Sequence, residues 1–363
     1  MTKPLPPMPD GLTAEWLTDL FHASGTLPNH ISITEVSQST VGEGTGMMSE
    51  LCRLHLTPSS QVSDLPATLI AKYPSRNPTN REVAMSFNLY EREVRYFAEL
   101  DAQTTACAPP THIATLDGDN FVIIMQDMQD YAVGDQTAGA DLHQSELAID
   151  ELARLHSAFY GQVDHLDWIP GIADSYHADN MYNFCGGAWD VMVDAFADSV
   201  PPPITALKTP FLAKLPALQQ RMNASPRTLV HGDFRMENIL YGTQPEHHKA
   251  VIIDWQGPLL GQGLVDVCLM LGQSTRTSIR RAHERALLDR YVAGLRAEGC
   301  EYPGADVWLD YRLSHLYNWV YVAVVSGTLD SSNATAHGWM SKMIERQVHT
   351  TLDLDLIPLL DTL

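Results

Sequence analysis

Cysteine and positive charge are both scarce in this chain. Its five cysteines, at positions 52, 107, 185, 268 and 300, are scattered over 363 residues with no C-x-x-C pair. That argues against a disulfide framework or a zinc site and suits a reducing cytoplasm. Lys plus Arg number 23 against 44 Asp plus Glu, a formal charge of −21, which opposes broad attraction to nucleic acid or an anionic membrane. Long apolar runs are missing too: the best, WVYVAVV, is far short of the roughly 18 residues a membrane span needs. The opening MTKPLPPMPDGLTAEW has no apolar core of the signal-peptide kind, so a cytoplasmic protein is expected. What the chain does have is 45% hydrophobic and only 18% charged residues, the balance of a globular protein with a real core. Its length suits one large domain or two lobes.

Two textures divide the chain. Leu12, Trp16, Leu17, Leu20 and Phe21 share one face of a helix that Thr13 can cap. ISITEVSQST, MMSELCRLHLTP and ATLIAKYP then alternate or carry β-branched residues between turns, which predicts an antiparallel meander. From Arg81 to Leu100, Phe87, Tyr90, Val94, Phe97 and Leu100 recur at helical spacing, and FVIIMQDM reads as a buried strand passing into a linker. Beyond it the chain is mostly helical, starting with HQSELAIDELARLHSAFY. The exceptions are an irregular stretch around 161–190, a loop at Pro201-Pro202-Pro203, and two short apolar runs ending in polar clusters, LVHGDFRMENILYG and AVIIDWQG.

Those polar ends carry the chemistry. Gly42, Gly44 and Gly46 form a cluster between two strand candidates; without Cβ atoms they let backbone N–H groups approach a phosphate, though a plain hairpin turn also accounts for them. Lys72 stands inside an apolar strand and needs a partner. Glu93 shares the buried helix face with Tyr90 and Phe97, whereas Glu91 falls off it; the alternative is a lysine snorkelling from an edge strand. In His231-Gly232-Asp233-Phe234-Arg235-Met236-Glu237-Asn238, Asp233 is spaced to take the proton of an acceptor hydroxyl. Asn238, five residues on, is placed to hold Mg²⁺ by its amide oxygen. Asp254, in IIDWQ, is a second metal-binding candidate. Singly, Asp233 reads equally as a helix cap and Asp254 as a turn former; in this order, coincidence is a poor explanation.

The ordered set of glycine loop, strand Lys, helix Glu, HGDFRxxNIL and IDWQ resembles the aminoglycoside phosphotransferase and choline kinase superfamily of the protein-kinase-like fold. LVHGDFRMENILYG followed by VIIDWQGPLLGQGLVDV is most similar to its ecdysteroid-kinase-like group, over roughly residues 35–275. The resemblance implies an α+β, two-lobed fold: an N-terminal antiparallel sheet lobe with one main helix at 1–125, a hinge at 126–130, and a larger, mostly helical lobe at 131–363. It implies ATP and Mg²⁺ as cofactors, Asp233 as catalytic base, Asn238 and Asp254 as Mg²⁺ ligands, and Lys72 on the α- and β-phosphates with Glu93 as its partner. The backbone of Gln126, Asp127 and Met128 would meet adenine, and Asp266 would brace the catalytic loop through its backbone. His231 and His156 read as core histidines. His-Gly-Asp in place of His-Arg-Asp, and no Ala-Pro-Glu segment, make a protein acceptor a poor expectation.

The acceptor is expected to be the hydroxyl of a small molecule. Trp168, Tyr176, Tyr182, Phe184 and Trp189, and the helix LSHLYNWVYVAVV, are candidates for its wall, although such aromatics more often belong to a core. A sterol- or terpenoid-like alcohol is preferred on the resemblance. An aminoglycoside or choline-type acceptor, or a catalytically inactive nucleotide- or ligand-binding module of the same fold, are the alternatives.

Overall fold

The computed structural model describes residues 5, 11–42, 48–61, 65–302, 306–329, 331 and 334–363. The chain forms two compact units. The first contains 1–103, 108–130 and 253–257; the second contains 104–107, 131–252 and 258–363. The chain therefore passes between the units more often than a single cut near 125–131 provides for. Gly44 and Gly46 lie outside the described residues.

In the first unit, helix α1 (Ala14–Ser24) starts where the Thr13 side chain accepts from Trp16 N, and it ends at Gly25, whose φ of 76° closes the helix. Strands β1 (Ile33–Val41), β2 (Ser49–Pro58), β3 (Thr68–Pro74), β4 (Thr111–Asp117) and β5 (Asn120–Gln126) make one antiparallel sheet in the order β1-β2-β3-β5-β4. The continuous apolar run of β5 is explained by burial on both faces. Val122 and Ile124 pack with Leu17, Phe21, Leu54, Leu69 and Ala71, while Phe121, Ile123 and Met125 pack with Ala84, Tyr90 and Val94. β4 is a strand the alternation pattern does not predict; it reaches β5 through a turn at Gly118, whose φ is 58°.

The expected helix over Arg81–Leu100 is corrected by the structure. It is two helices, α2 (Pro78–Ser86) and α3 (Leu89–Arg95), the latter running into a wider π turn over Tyr96–Leu100. The break is Asn88, at φ 54°, one of the few side chains that enters the left-handed region at low cost.

The second unit is mainly helical: α4 (Leu142–Phe159), α5 (Ser175–Ala195), α6 (Pro202–Thr205), α7 (Lys208–Met222), α8 (Leu264–Leu269), α9 (Thr277–Ala297), α10 (Val307–Tyr317), α11 (Trp319–Thr328) and α12 (Ala334–Asp353). Its strands are short. β6 (Ala132–Val133), β8 (Ile239–Tyr241) and β9 (Ala250–Ile252) form one small antiparallel sheet, and β7 (Thr228–Val230) pairs with β10 (Leu259–Gly261). Two expectations fail here. The stretch assigned as irregular up to residue 190 holds most of the 21-residue α5, whose weak helix formers, Gly186 and Gly187 among them, conceal a helical spacing of buried Cys185, Ala188, Trp189 and Met192. The triple proline does not stay a loop: Pro202 and Pro203 open α6, where a missing N–H costs nothing, and Ile204 is buried.

Among the described residues no helix is long and apolar enough to cross a membrane. A close approach of α11 to α5 depends on Gly327 of α11, where an added Cβ would stand 2.2 Å from the Ala188 carbonyl oxygen of α5 and 2.6 Å from Ala188 Cβ. Backbone cannot retreat as a flexible side chain can. Gly327→Ala is therefore expected to lower stability by on the order of 1–3 kcal/mol, read as a drop in the urea midpoint; an unchanged midpoint would show that the helices are free to part.

Candidate active site

In the first unit, Lys72 alternates with Ala71 and Tyr73 along β3, so it faces away from the α1 core and toward α3. Its Nζ stands 2.6 Å from Glu93 Oε1 and 2.8 Å from Asp254 Oδ1. Lys72 and Glu93 are both buried, while Glu91 is only half-buried and pairs with Arg95 at 3.4 Å. Burial alone would lower the Lys72 pKa, but the Asp254 and Glu93 carboxylates outweigh it and hold it above its ordinary value.

Asp254 sits at φ 66° in the segment 253–257, which two further contacts fix within this unit. The Trp255 ring stacks on Tyr96 with centroids 3.6 Å apart and planes 7° from parallel, and Gln256 Nε2 donates to Ser49 Oγ at 2.7 Å. Neither contact was visible in the sequence pattern.

Gly42 follows β1 at a positive φ of 67°, the conformation a tight glycine turn needs. At the end of β5, the Gln126 N–H is engaged by the Pro110 carbonyl at 2.8 Å and its side chain is exposed. Asp127 is tied to Arg53 Nε at 2.5 Å, and Met128 is half-buried.

The residues from His231 to Asn238 belong to the second unit. β7 delivers His231, then Gly232 at φ 81° turns the chain and Asp233 follows. The carboxylate of Asp266, on α8, is fully buried and accepts from His231 N at 2.6 Å and Gly232 N at 3.0 Å. His156 is buried between Tyr291 Oη at 2.9 Å and Asp266 Oδ2 at 3.3 Å. His231 is equally buried, and its Nδ1 accepts from Asp233 N at 3.3 Å. Asn238 turns its Nδ2 onto the Asp233 carbonyl at 2.8 Å and Asp233 Oδ2 at 3.0 Å.

Four side chains that carried no role in the sequence, Tyr321, Arg235, Glu237 and Trp339, complete this cluster. Tyr321 of α11 donates its hydroxyl to Asp233 Oδ1. Arg235 Nε is 3.4 Å from the same oxygen, with its NH1 2.8 Å from Glu237, and its guanidinium lies 4.6 Å from the Trp339 ring centroid. Burial first, and then Asp233 and Asp135 against the opposing Arg235, push the Glu237 pKa up. The only signal for Tyr321 was its place in an aromatic helix, which does not single out one tyrosine. Of the proposed aromatic wall, Trp189 is fully buried against Phe211 and Trp319, whereas Tyr176, Tyr182 and Phe184 are exposed.

A carboxylate steadied by an amide five residues on, with its backbone braced by a buried Asp, is a frame for accepting a proton from a hydroxyl. By sequence comparison, the model of the ecdysteroid kinase-like family matches residues 43–300. The chain belongs to the ecdysteroid kinase-like family. It is a phosphotransferase of the small-molecule kinase kind, with the α+β, two-lobed kinase-like fold. Among solved structures, a mutant aminoglycoside 2′-phosphotransferase bound to GDP is 14% identical, with 93% of this chain and 97% of that one covered and a TM-score of 0.51. A fructosamine-3-kinase-type protein from Haemophilus somnus is 13% identical, covering 96% and 97%, with a TM-score of 0.49. A microcompartment-associated aminopropanol kinase is 14% identical, covering 93% and 99%, with a TM-score of 0.44. No curated protein matches the chain in sequence.

The Lys72–Glu93 pair of this family member yields a stability test. Lys72→Met leaves a buried carboxylate without its cation and is expected to cost about 3 kcal/mol, and adding Glu93→Gln should return part of that loss. A double-mutant cycle by urea unfolding reads the coupling; losses that simply add would show that the pair does not interact.

Proposed function

We propose that the chain transfers the γ-phosphate of ATP, with Mg²⁺, to a hydroxyl of a small molecule in the cytoplasm, with Asp233 as general base. The observation that carries this reading is the Asp233 carboxylate, held at Oδ2 by Asn238 while Oδ1 already accepts a hydrogen bond from a hydroxyl, that of Tyr321. A base needs this geometry toward its acceptor, within about 2.6–3.2 Å. Asp233 takes the acceptor proton as the new O–P bond forms. Asn238 fixes the carboxylate's rotation, and Asp266 fixes the backbone from which it projects.

The donors fit Mg²⁺, which prefers a few protein oxygens and fills its remaining positions with phosphate and water. Asn238 commits its nitrogen to Asp233, so its amide oxygen is the end that serves a cation, and Asp254 supplies a carboxylate whose side chain is 37% exposed. Asn238 and Asp254 are thus the proposed ligands; bound there, the ion would neutralise charge on the transferring phosphoryl group. Lys72, kept cationic by Glu93, is the proposed contact to the α- and β-phosphates. Gly42, Gly44 and Gly46 would supply backbone N–H groups to the phosphates. The segment Gln126, Asp127 and Met128 would meet adenine through backbone groups other than the Gln126 N–H, which Pro110 engages. The functional division proposed with these roles is 1–125, hinge 126–130 and 131–363.

For the acceptor, a sterol- or terpenoid-like alcohol is favoured on family membership. Mass spectrometry of protein given Mg-ATP and pooled sterols, terpenoid alcohols, choline analogues and aminoglycosides tests both activity and class. Wild type is expected to phosphorylate an apolar alcohol. Asp233→Asn is expected to lose about 10²–10⁴-fold in rate while binding nucleotide within a few-fold of wild type. Turnover retained in Asp233→Asn would overturn the base; a phosphorylated choline analogue or aminoglycoside alone would overturn the alcohol preference.

A further inference from the structure

Asp233 has two carboxylate oxygens, and the two donors that meet them differ in origin. Asn238, on Oδ2, is five residues away in the same loop. Tyr321, on Oδ1, comes from 88 residues further along the chain, beyond the 43–300 segment that the family match covers. Arg235 Nε stands 3.4 Å from that same Oδ1. Tyr321 is thus the hydrogen-bond donor on the oxygen that Asn238 does not meet, with the Arg235 guanidinium beside it as an ion pair.

That arrangement bears on a hazard every kinase shares. Water is a hydroxyl donor as good as any alcohol, and at about 55 M it is always present. If it reaches the base, its oxygen bonds to the γ-phosphorus and its proton passes to Asp233. The bond from that phosphorus to the β–γ bridging oxygen breaks, and ADP and inorganic phosphate leave without acceptor chemistry.

We propose that Tyr321 is a cap on the catalytic base: in the absence of acceptor its hydroxyl holds Asp233 Oδ1 and denies that oxygen to water, and the acceptor hydroxyl takes its place when it binds. The proposal rests on Asp233 as base. Its mechanics are carried by α11. Trp319 at the start of the helix is fully buried and donates Nε1 to Thr351 Oγ1 at 2.9 Å, and Gly327 near its end lies against Ala188. The helix is pinned at both ends, so release of Asp233 falls to the half-buried Tyr321 side chain, which has only two torsions to turn. Burial, and after it the Asp233 carboxylate, push the Tyr321 pKa well above its ordinary value. The phenol accordingly stays a donor and a poor nucleophile.

The test uses the full chain with Mg-ATP and no acceptor, reading ADP and inorganic phosphate in ¹⁸O-labelled water. Tyr321→Phe removes one oxygen and is expected to raise acceptor-independent hydrolysis about ten-fold, the worth of roughly one hydrogen bond to a charged group, with ¹⁸O in the released phosphate. Tyr321→Phe/Asp233→Asn should fall back to the level of Asp233→Asn, because the gain runs through the base. Tyr321→Met serves if the phenylalanine variant does not fold. Hydrolysis at or below the wild-type rate in the tyrosine variants, with activity lost in Asp233→Asn, overturns the cap alone. A gain that survives in the double variant overturns the base, and the cap with it. Phosphate found on Tyr321 itself would make it an acceptor and also overturn the cap.

Discussion

Asp266 places a carboxylate where no water reaches it, and burying such a charge is expensive unless donors surround it. Three do: the N–H groups of His231 and Gly232, and the imidazole of His156, itself anchored on Tyr291. Because both oxygens are engaged, the backbone of the His231–Asp233 turn has one low-energy position. The local geometry from His231 to Asn238 is consistent with that position. Gly232 takes its positive φ, Asp233 emerges next to His231, and Asn238 closes back onto Asp233. Gly263 belongs to the same arrangement, since a Cβ there would lie 2.5 Å from His156 Nδ1; the glycine lets the buried histidine come up to the start of α8.

The first unit solves a related problem with opposite charges. Lys72 is buried in a sheet whose neighbours are apolar, and it is kept charged by Glu93 from α3 and Asp254 from the 253–257 segment. That segment counts with the first unit although the chain on both sides of it belongs to the second. An ion pair, an aromatic stack with Tyr96 and a side-chain hydrogen bond to Ser49 are each modest alone. On three consecutive residues they hold a left-handed Asp254 that an isolated peptide would not keep. Each unit thus fixes a buried or half-buried carboxylate with its own neighbours, Asp266 with backbone N–H groups and the His156 imidazole, Asp254 with the Lys72 ammonium.

Around Asp233 the chain adds features of its own. Arg235 is shared among Asp233, Glu237 and the Trp339 face, so its charge is spent locally. The surroundings of Asp233 are accordingly less acidic than the net charge of −21 suggests, and whole-molecule charge is a weak guide to an individual site.

Much of this was legible in the sequence. The Lys72–Glu93 pair and the Asp233–Asn238 contact could be expected from residue types and their spacing, and the helix period alone separated Glu93 from Glu91. The meander of β1 to β3 followed from alternation, which is local. What failed was what neighbours decide. Asn88 breaks a helix that periodicity draws as continuous, and α5 forms despite its glycines because Trp189 and Ala188 have α11 to pack against. Tyr321 meets Asp233 across 88 residues, and no spacing rule spans such a gap. The family and the fold class could be read from the sequence, since contiguous motifs carry them. The contact of Tyr321 with Asp233 needed the tertiary structure, because it depends on where α11 packs relative to the loop that follows β7.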